Sequence, residues 1–244
     1  MRPPPHASPC CAGSQTTRVK MGERTAVDIT QYSFEEFVSF LFDRDVQSLA
    51  EQLDRKKWDP WYWHLEVTFG RQRVCEYYVR LFRQPAFLLG QFSTAQLEKG
   101  FWGIQVANLD CSAYRIIFDT ELPVAAREEC TRSMFDLFRY FFAVEPLEGA
   151  CNMWWDSLCY DWTCGNRKRE NGGEDLLLQD VMFETIAKIL DLDSEPCQRS
   201  ALHGLGHLHH PDTEELVQRF IDRHRSLANE LRYYALAAAK FEVQ

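Results

Sequence analysis

Two short stretches near the end of the chain decide the fold: residues 197–202 read CQRSAL, and residues 231–236 read LRYYAL, 34 positions later. Between them lie a Pro211-Asp212 turn and a second amphipathic segment. The unit is therefore a helix with small residues, a short loop and a returning helix, after which the first helix recurs. Helical units of this size cannot bury their apolar stripes alone, and they stack on neighbours. The sequence predicts stacked α-helices over residues 174–242.

The repeated unit resembles the HEAT-type helical repeat in its short HEAT/armadillo form. Three features carry the resemblance: small residues such as Ala201 and Gly204 in the first helix, the Pro211-Asp212 loop, and the returning helix. The resemblance covers about the last fifth of the chain and implies an α-solenoid-like stack of α-hairpins. The two glycines of the first helix imply that a neighbouring helix approaches closely. The whole chain also resembles bacterial helical proteins that carry no assigned activity.

Helix-start signals upstream predict that the rest of the chain is helical too. Ser33 with Glu36 forms a capping box, Ser93 begins a second one, and Pro123 suits the first turn of a long helix. A short helix is predicted over residues 47–55, and a strand with no evident partner over residues 65–69. The predicted all-α organisation comprises a disordered tail (1–31), an irregular helical domain (32–164), a flexible loop (165–173) and HEAT-like repeats (174–242).

The acidic balance of the chain limits the partners that it can bind. Thirty-six acidic and 27 basic residues give a formal net charge of −9. Nucleic-acid binding is not expected because it needs a basic surface, whereas a basic protein partner is favoured. No apolar run approaches the roughly 20 residues of a membrane span, and no apolar secretory region is visible at the start. The nine cysteines form no CxxC pair. We therefore expect a cytoplasmic protein with buried free thiols.

Two groups of residues are candidates for partner binding. Trp61 and Trp63 lie in an aromatic turn, and exposed tryptophans concentrate binding energy at interfaces. The alternative is that they fill gaps between irregular helices. Arg167, Lys168 and Arg169 form a basic run in the predicted loop, where the alternative is a solvated loop with no partner.

Four of the seven histidines fall between residues 203 and 210, and this cluster is the candidate metal site. His203, His207 and His210 have i, i+4 and i+7 spacing, which places three imidazoles on one helical face. Imidazoles four residues apart can share a zinc ion. The alternative, which the sequence favours, is a solvated polar face at a helix end. The general-base glutamate of an HExxH motif is missing.

The predicted function is a non-enzymatic protein-binding or scaffold module that needs no cofactor. Stacked helix pairs present an extended surface that suits protein partners, and no catalytic signature is present. An immunity-type protein that neutralises a toxin is one concrete form of this prediction. The alternative function is a metal-binding protein or metal-dependent enzyme that uses the three histidines.

Overall fold

The computed structural model describes residues 24–45, 59–224 and 227–243, and this part of the chain is predominantly helical. The all-α prediction is thereby confirmed, apart from one two-stranded sheet. The short helix predicted over residues 47–55 lies outside the described residues. The helices are α1 (Phe34–Phe42), α2 (Arg71–Arg83), α3 (Thr94–Gln105), α4 (Ala113–Ile117), α5 (Val124–Leu137), α6 (Trp154–Thr163), α7 (Gly173–Leu190), α8 (Glu195–Leu208), α9 (Thr213–Arg223) and α10 (Asn229–Ala239).

The sheet consists of β1 (Thr25–Asp28) and β2 (Leu65–Thr68), which pair in parallel with Val27 opposite Val67. The strand predicted over residues 65–69 therefore has a partner. That partner comes from the predicted disordered tail, so the boundary of the tail at residue 31 is wrong. The sequence signal was missed because β1 is only four residues long and its pairing is non-local. Residues 1–23 lie outside the described residues.

The sheet is fastened by Asp110, which lies between α3 and α4. Its Oδ2 accepts hydrogen bonds from Arg24 Nη2 at 3.1 Å and from the backbone N–H of Val67 at 2.9 Å. Ile29, just after β1, is buried in the core. One carboxylate and one apolar anchor thus attach the first described residues to the helices.

Local helix-start signals are confirmed where the structure describes them. The Ser33 side chain accepts from the backbone N–H of Glu36 at 3.2 Å, and Glu36 Oε2 accepts from Ser33 N at 2.7 Å. Ser93 caps α3 in the same way. Helix α5 begins directly after Pro123, and a π-helical turn at Phe138–Phe142 continues it.

An aromatic cluster around Trp154 forms the centre of the core. The Trp154 ring, fully buried, lies 5.7 to 6.3 Å from four phenylalanine rings: Phe82, Phe101, Phe138 and Phe142. One continuous hydrophobic cluster extends from Ile29 to Ala238. The predicted boundary between residues 164 and 174 therefore does not separate two hydrophobic cores.

Helix α8 is the most enclosed element, because α6, α7 and α10 all pack against it. Gly204 permits the close approach of α6: a Cβ at this position would lie 2.6 Å from the Trp155 Cβ. Gly206 leaves room in the same way for Val243 at the chain end. Helices α8 and α10, which carry the two copies of the repeat, touch each other. The HEAT-type classification of this stack stays a prediction.

Two further sequence predictions concern thiols and membranes. None of the described cysteines forms a disulfide, as predicted. Cys164 is half-buried, and the other six are buried: Cys75, Cys111, Cys130, Cys151, Cys159 and Cys197. Among the helices that the structure describes, none has the length and apolar character required for a membrane crossing.

Candidate metal centre

Three potential metal ligands meet where α6 packs on α8. His203 and His207 lie one turn apart on α8, and Asp156 faces them from α6. One ligand atom from each residue lies within 4.8 Å of the other two. Within the described ranges, no other group of three His, Cys, Asp or Glu side chains meets this criterion.

Both imidazoles point the same ring nitrogen at one oxygen atom. Nε2 of His203 and Nε2 of His207 each lie 3.4 Å from Asp156 Oδ1. This separation is long for a hydrogen bond. It matches the edge of a tetrahedral zinc site, because ligands about 2.0–2.1 Å from the metal are about 3.3–3.4 Å from one another.

The other nitrogen of each imidazole is held by a hydroxyl group. His203 Nδ1 lies 2.6 Å from the Tyr234 hydroxyl, which α10 supplies. His207 Nδ1 lies 3.3 Å from Thr163 Oγ1 at the end of α6. Outer partners of this kind fix the orientation of metal-binding histidines and are part of most metal sites.

The Thr163 hydroxyl also determines the tautomer of His207. It donates its single hydrogen to the His207 carbonyl oxygen at 2.9 Å, so it can only accept at Nδ1. The His207 proton then lies on Nδ1, and Nε2 presents a lone pair to Asp156. A cation placed between these two atoms, which lie 3.4 Å apart, could be coordinated by both.

Burial keeps His207 in the protonation state that a metal requires. It lowers the pKa of His207 to about 4, with the neighbouring His203 adding to the effect and Asp156 opposing it. His207 is therefore neutral near pH 7. Burial also raises the pKa of Tyr234 to about 12, so its hydroxyl stays protonated beside His203. Neutral imidazole is the form that binds metal ions.

The prediction of a solvated histidine face is wrong. His203, His207 and His210 are only 2%, 6% and 4% exposed. The reason is that α8 is enclosed, so its polar side meets α6 and α10 instead of water. Asp156 keeps 20% of its side chain exposed, which gives the cluster a route to solvent.

His210 does not belong to the cluster, in contrast to the predicted set of three histidines. Helix α8 ends at Leu208, and His209 takes a left-handed conformation with φ of 53°, so the helical spacing does not continue. His210 Nε2 lies 3.0 Å from Asp180 Oδ1, and its ring stacks on Phe183 with centroids 3.9 Å apart. Asp156 supplies the third candidate ligand instead.

The two tryptophans proposed for partner binding differ in exposure. Trp61 is half-buried: its Nε1 donates to the Lys99 carbonyl at 3.2 Å, and the Arg44 guanidinium lies 4.0 Å from its ring. Trp63 is exposed. The role in partner binding stays a prediction for Trp63, whereas the contacts of Trp61 agree with the alternative of packing between helices.

The basic run of the predicted flexible loop is held by acidic residues of α6 and α7. Arg167 Nη1 lies 2.8 Å from Asp175 Oδ1, and its guanidinium also faces Asp161. Arg169 pairs with Asp180, the same carboxylate that contacts His210. Lys168 donates its backbone N–H to Asp175 at 3.2 Å. The loop contains a 3-10 turn at Arg169–Asn171. Two of its three positive charges, those of Arg167 and Arg169, form ion pairs within the protein.

No family model, curated protein or solved structure matches the chain.

Proposed function

We propose that the protein binds one divalent transition-metal ion between α6 and α8, through Asp156, His203 and His207. The observation that carries this proposal is the convergence of two imidazole Nε2 atoms on one carboxylate oxygen at equal distances of 3.4 Å. Hydroxyl groups hold both Nδ1 atoms, so the two rings are fixed before any ion arrives.

The ligand chemistry indicates which ions fit. Two imidazoles and one carboxylate suit zinc, iron, cobalt or nickel. Calcium and magnesium prefer sites built from oxygen ligands alone. Among the described residues no thiolate joins the set, which disfavours copper(I). Zinc is the simplest candidate because the ligand separations match a tetrahedral site.

Three protein ligands leave a coordination position open in a tetrahedral site. Structural zinc sites are closed by four protein ligands, whereas sites that act on a substrate keep one position for water or ligand. Asp156 keeps 20% of its side chain exposed, so solvent reaches one of the three ligands. The bound ion would act there as a Lewis acid.

Calorimetric titration of the chelator-stripped full chain with Zn²⁺ tests this proposal. We expect one equivalent to bind with an accompanying rise in melting temperature, since a ligand of the folded state stabilises it. Asp156→Asn preserves volume and should lower the affinity at least tenfold; His203→Ala/His207→Ala should remove uptake. His64→Ala, outside the cluster, is the matched control. Uptake below about 0.1 equivalent by the unmodified chain overturns the proposal.

A protein-binding role, with a basic partner, is the second candidate function. One observation favours it: Tyr233, 73% exposed, and Leu236 lie on the outer side of α10. The net charge of −9 selects for a basic partner. An immunity-type role is the narrower form of this candidate. Copurification from the native host should yield a stoichiometric partner that Tyr233→Ala weakens; repeated recovery of the chain alone counts against it.

A further inference from the structure

Arg199 is connected to the candidate metal centre through Tyr234. It occupies α8 four residues before His203, and residues at this spacing are neighbours on a helix face. Its Cζ lies 5.7 Å from the ring centroid of Tyr234, the residue whose hydroxyl contacts His203. Tyr234 thus touches both the arginine and a candidate metal ligand.

The guanidinium of Arg199 has free donors. Glu195 and Glu230 both contact the same nitrogen, Nη2, at 3.3 Å. Among the described residues, no hydrogen-bond acceptor reaches Nη1 or Nε. The arginine is only half-buried. A planar guanidinium with open donors is suited to bind the paired oxygens of a carboxylate or phosphate.

We propose that the metal ion at Asp156, His203 and His207 and the guanidinium of Arg199 together bind an oxyanion, a phosphate or carboxylate group of a ligand. This inference rests on the proposed metal site. One ligand oxygen takes the open coordination position, and a second accepts from Arg199. A divalent ion keeps one net positive charge after Asp156 binds it, so both contacts favour an anion.

The two glutamates beside Arg199 set the strength of anion binding. Both are exposed, and exposed ion pairs contribute little stability. An oxyanion can therefore displace them from the guanidinium at small cost. Removing the charge of Glu230 should strengthen anion binding, because Arg199 then has one competitor fewer.

Cobalt(II) is the probe for the experiment, because its visible absorption reports on coordination. The full chain is loaded with Co²⁺ and titrated separately with inorganic phosphate and with acetate at constant ionic strength. We expect a saturable spectral change with at least one anion. Arg199→Gln should weaken that anion about tenfold or more, while cobalt affinity is unchanged, and Glu230→Gln should tighten it. Arg219→Gln, which removes another arginine paired with a glutamate, is the control.

The outcomes separate this inference from the metal site itself. Saturation by phosphate alone or by acetate alone supports the inference and identifies the group that is bound. Cobalt uptake without a spectral response to either anion overturns the inference and leaves the metal site standing. Equal anion affinity in Arg199→Gln and the unmodified chain also overturns the inference. Failure of the unmodified chain to take up cobalt overturns both the inference and the metal site.

Discussion

The hydroxyl of Tyr234 lies 2.6 Å from Nδ1 of His203, and this contact joins the last helix to the candidate metal centre. The two residues are 31 positions apart, one on α8 and one on α10. A side chain of α10 therefore orients a candidate metal ligand on α8.

Loss of this contact should weaken metal binding without unfolding the chain. Tyr234→Phe removes only the hydroxyl, and outer partners of metal-binding histidines contribute about 10- to 100-fold in affinity. We expect a loss in that range by calorimetric titration with Zn²⁺. Tyr233→Phe is the matched control because its ring is exposed, and it should bind normally. Unchanged affinity in Tyr234→Phe would show that the hydroxyl does not support the site.

Acid should destabilise the metal-free protein through His207. Its pKa is about 4 in the folded chain and ordinarily 6.5, so the unfolded state binds more protons between these values. The contribution of His207 to stability is complete above pH 6.5 and is lost as the pH falls through about 4. It amounts to no more than about 3 kcal/mol.

Urea unfolding between pH 4 and 7 measures this effect. We expect the free energy of unfolding to decline with falling pH in the metal-stripped chain. The decline should be shallower in His207→Gln, which cannot take up the proton. Parallel profiles for the two proteins would assign the decline to other groups.

Gly204 should be intolerant of any side chain. A Cβ there would lie 2.6 Å from the Trp155 Cβ, so α6 must move away from α8. Gly204→Ala should destabilise the fold by about 1–3 kcal/mol despite the better helix propensity of alanine. Metal affinity should fall too, since Asp156 moves with α6. Gly70→Ala is the control, because the nearest atom to its Cβ would be 3.9 Å away.

Asp110 should control the attachment of β1. Asp110→Ala removes the acceptor of Arg24 and of the Val67 amide, at a cost of about 1–3 kcal/mol. Hydrogen exchange should quicken at residues 24–29. Metal affinity serves as the internal control and should remain constant. Unaltered exchange at β1 would mean that the apolar contact of Ile29 alone holds it.

Predictions from the sequence were correct for features that depend on residues close together in the chain. Ser33 and Ser93 mark helix starts through contacts three residues away, and Pro123 marks another through its own fixed φ. His203 and His207 were recognised for the same reason, because four residues place them on one helical face. Strand β1 was missed because it is only four residues long and its partner, the strand predicted over residues 65–69, lies 40 residues further along.

The third candidate ligand, Asp156, could not be identified from the sequence. Asp156 is 47 residues from His203, and an aspartate in the first turn of a helix is ordinarily explained by the helix dipole. His210 was included by extending the helical spacing two residues beyond the end of α8. The left-handed turn at His209 ends that spacing, and no residue type in the sequence requires such a turn there.

Asp180 binds two segments that are distant in the sequence, since Arg169 and His210 contact the same Oδ1 atom. The 3-10 turn at Arg169–Asn171 and the chain reversal after α8 are thereby fastened to α7 at one point. Loss of the Asp180 carboxylate would release both contacts at once. We therefore expect the two segments to open together in hydrogen exchange, although two helices separate them in the sequence.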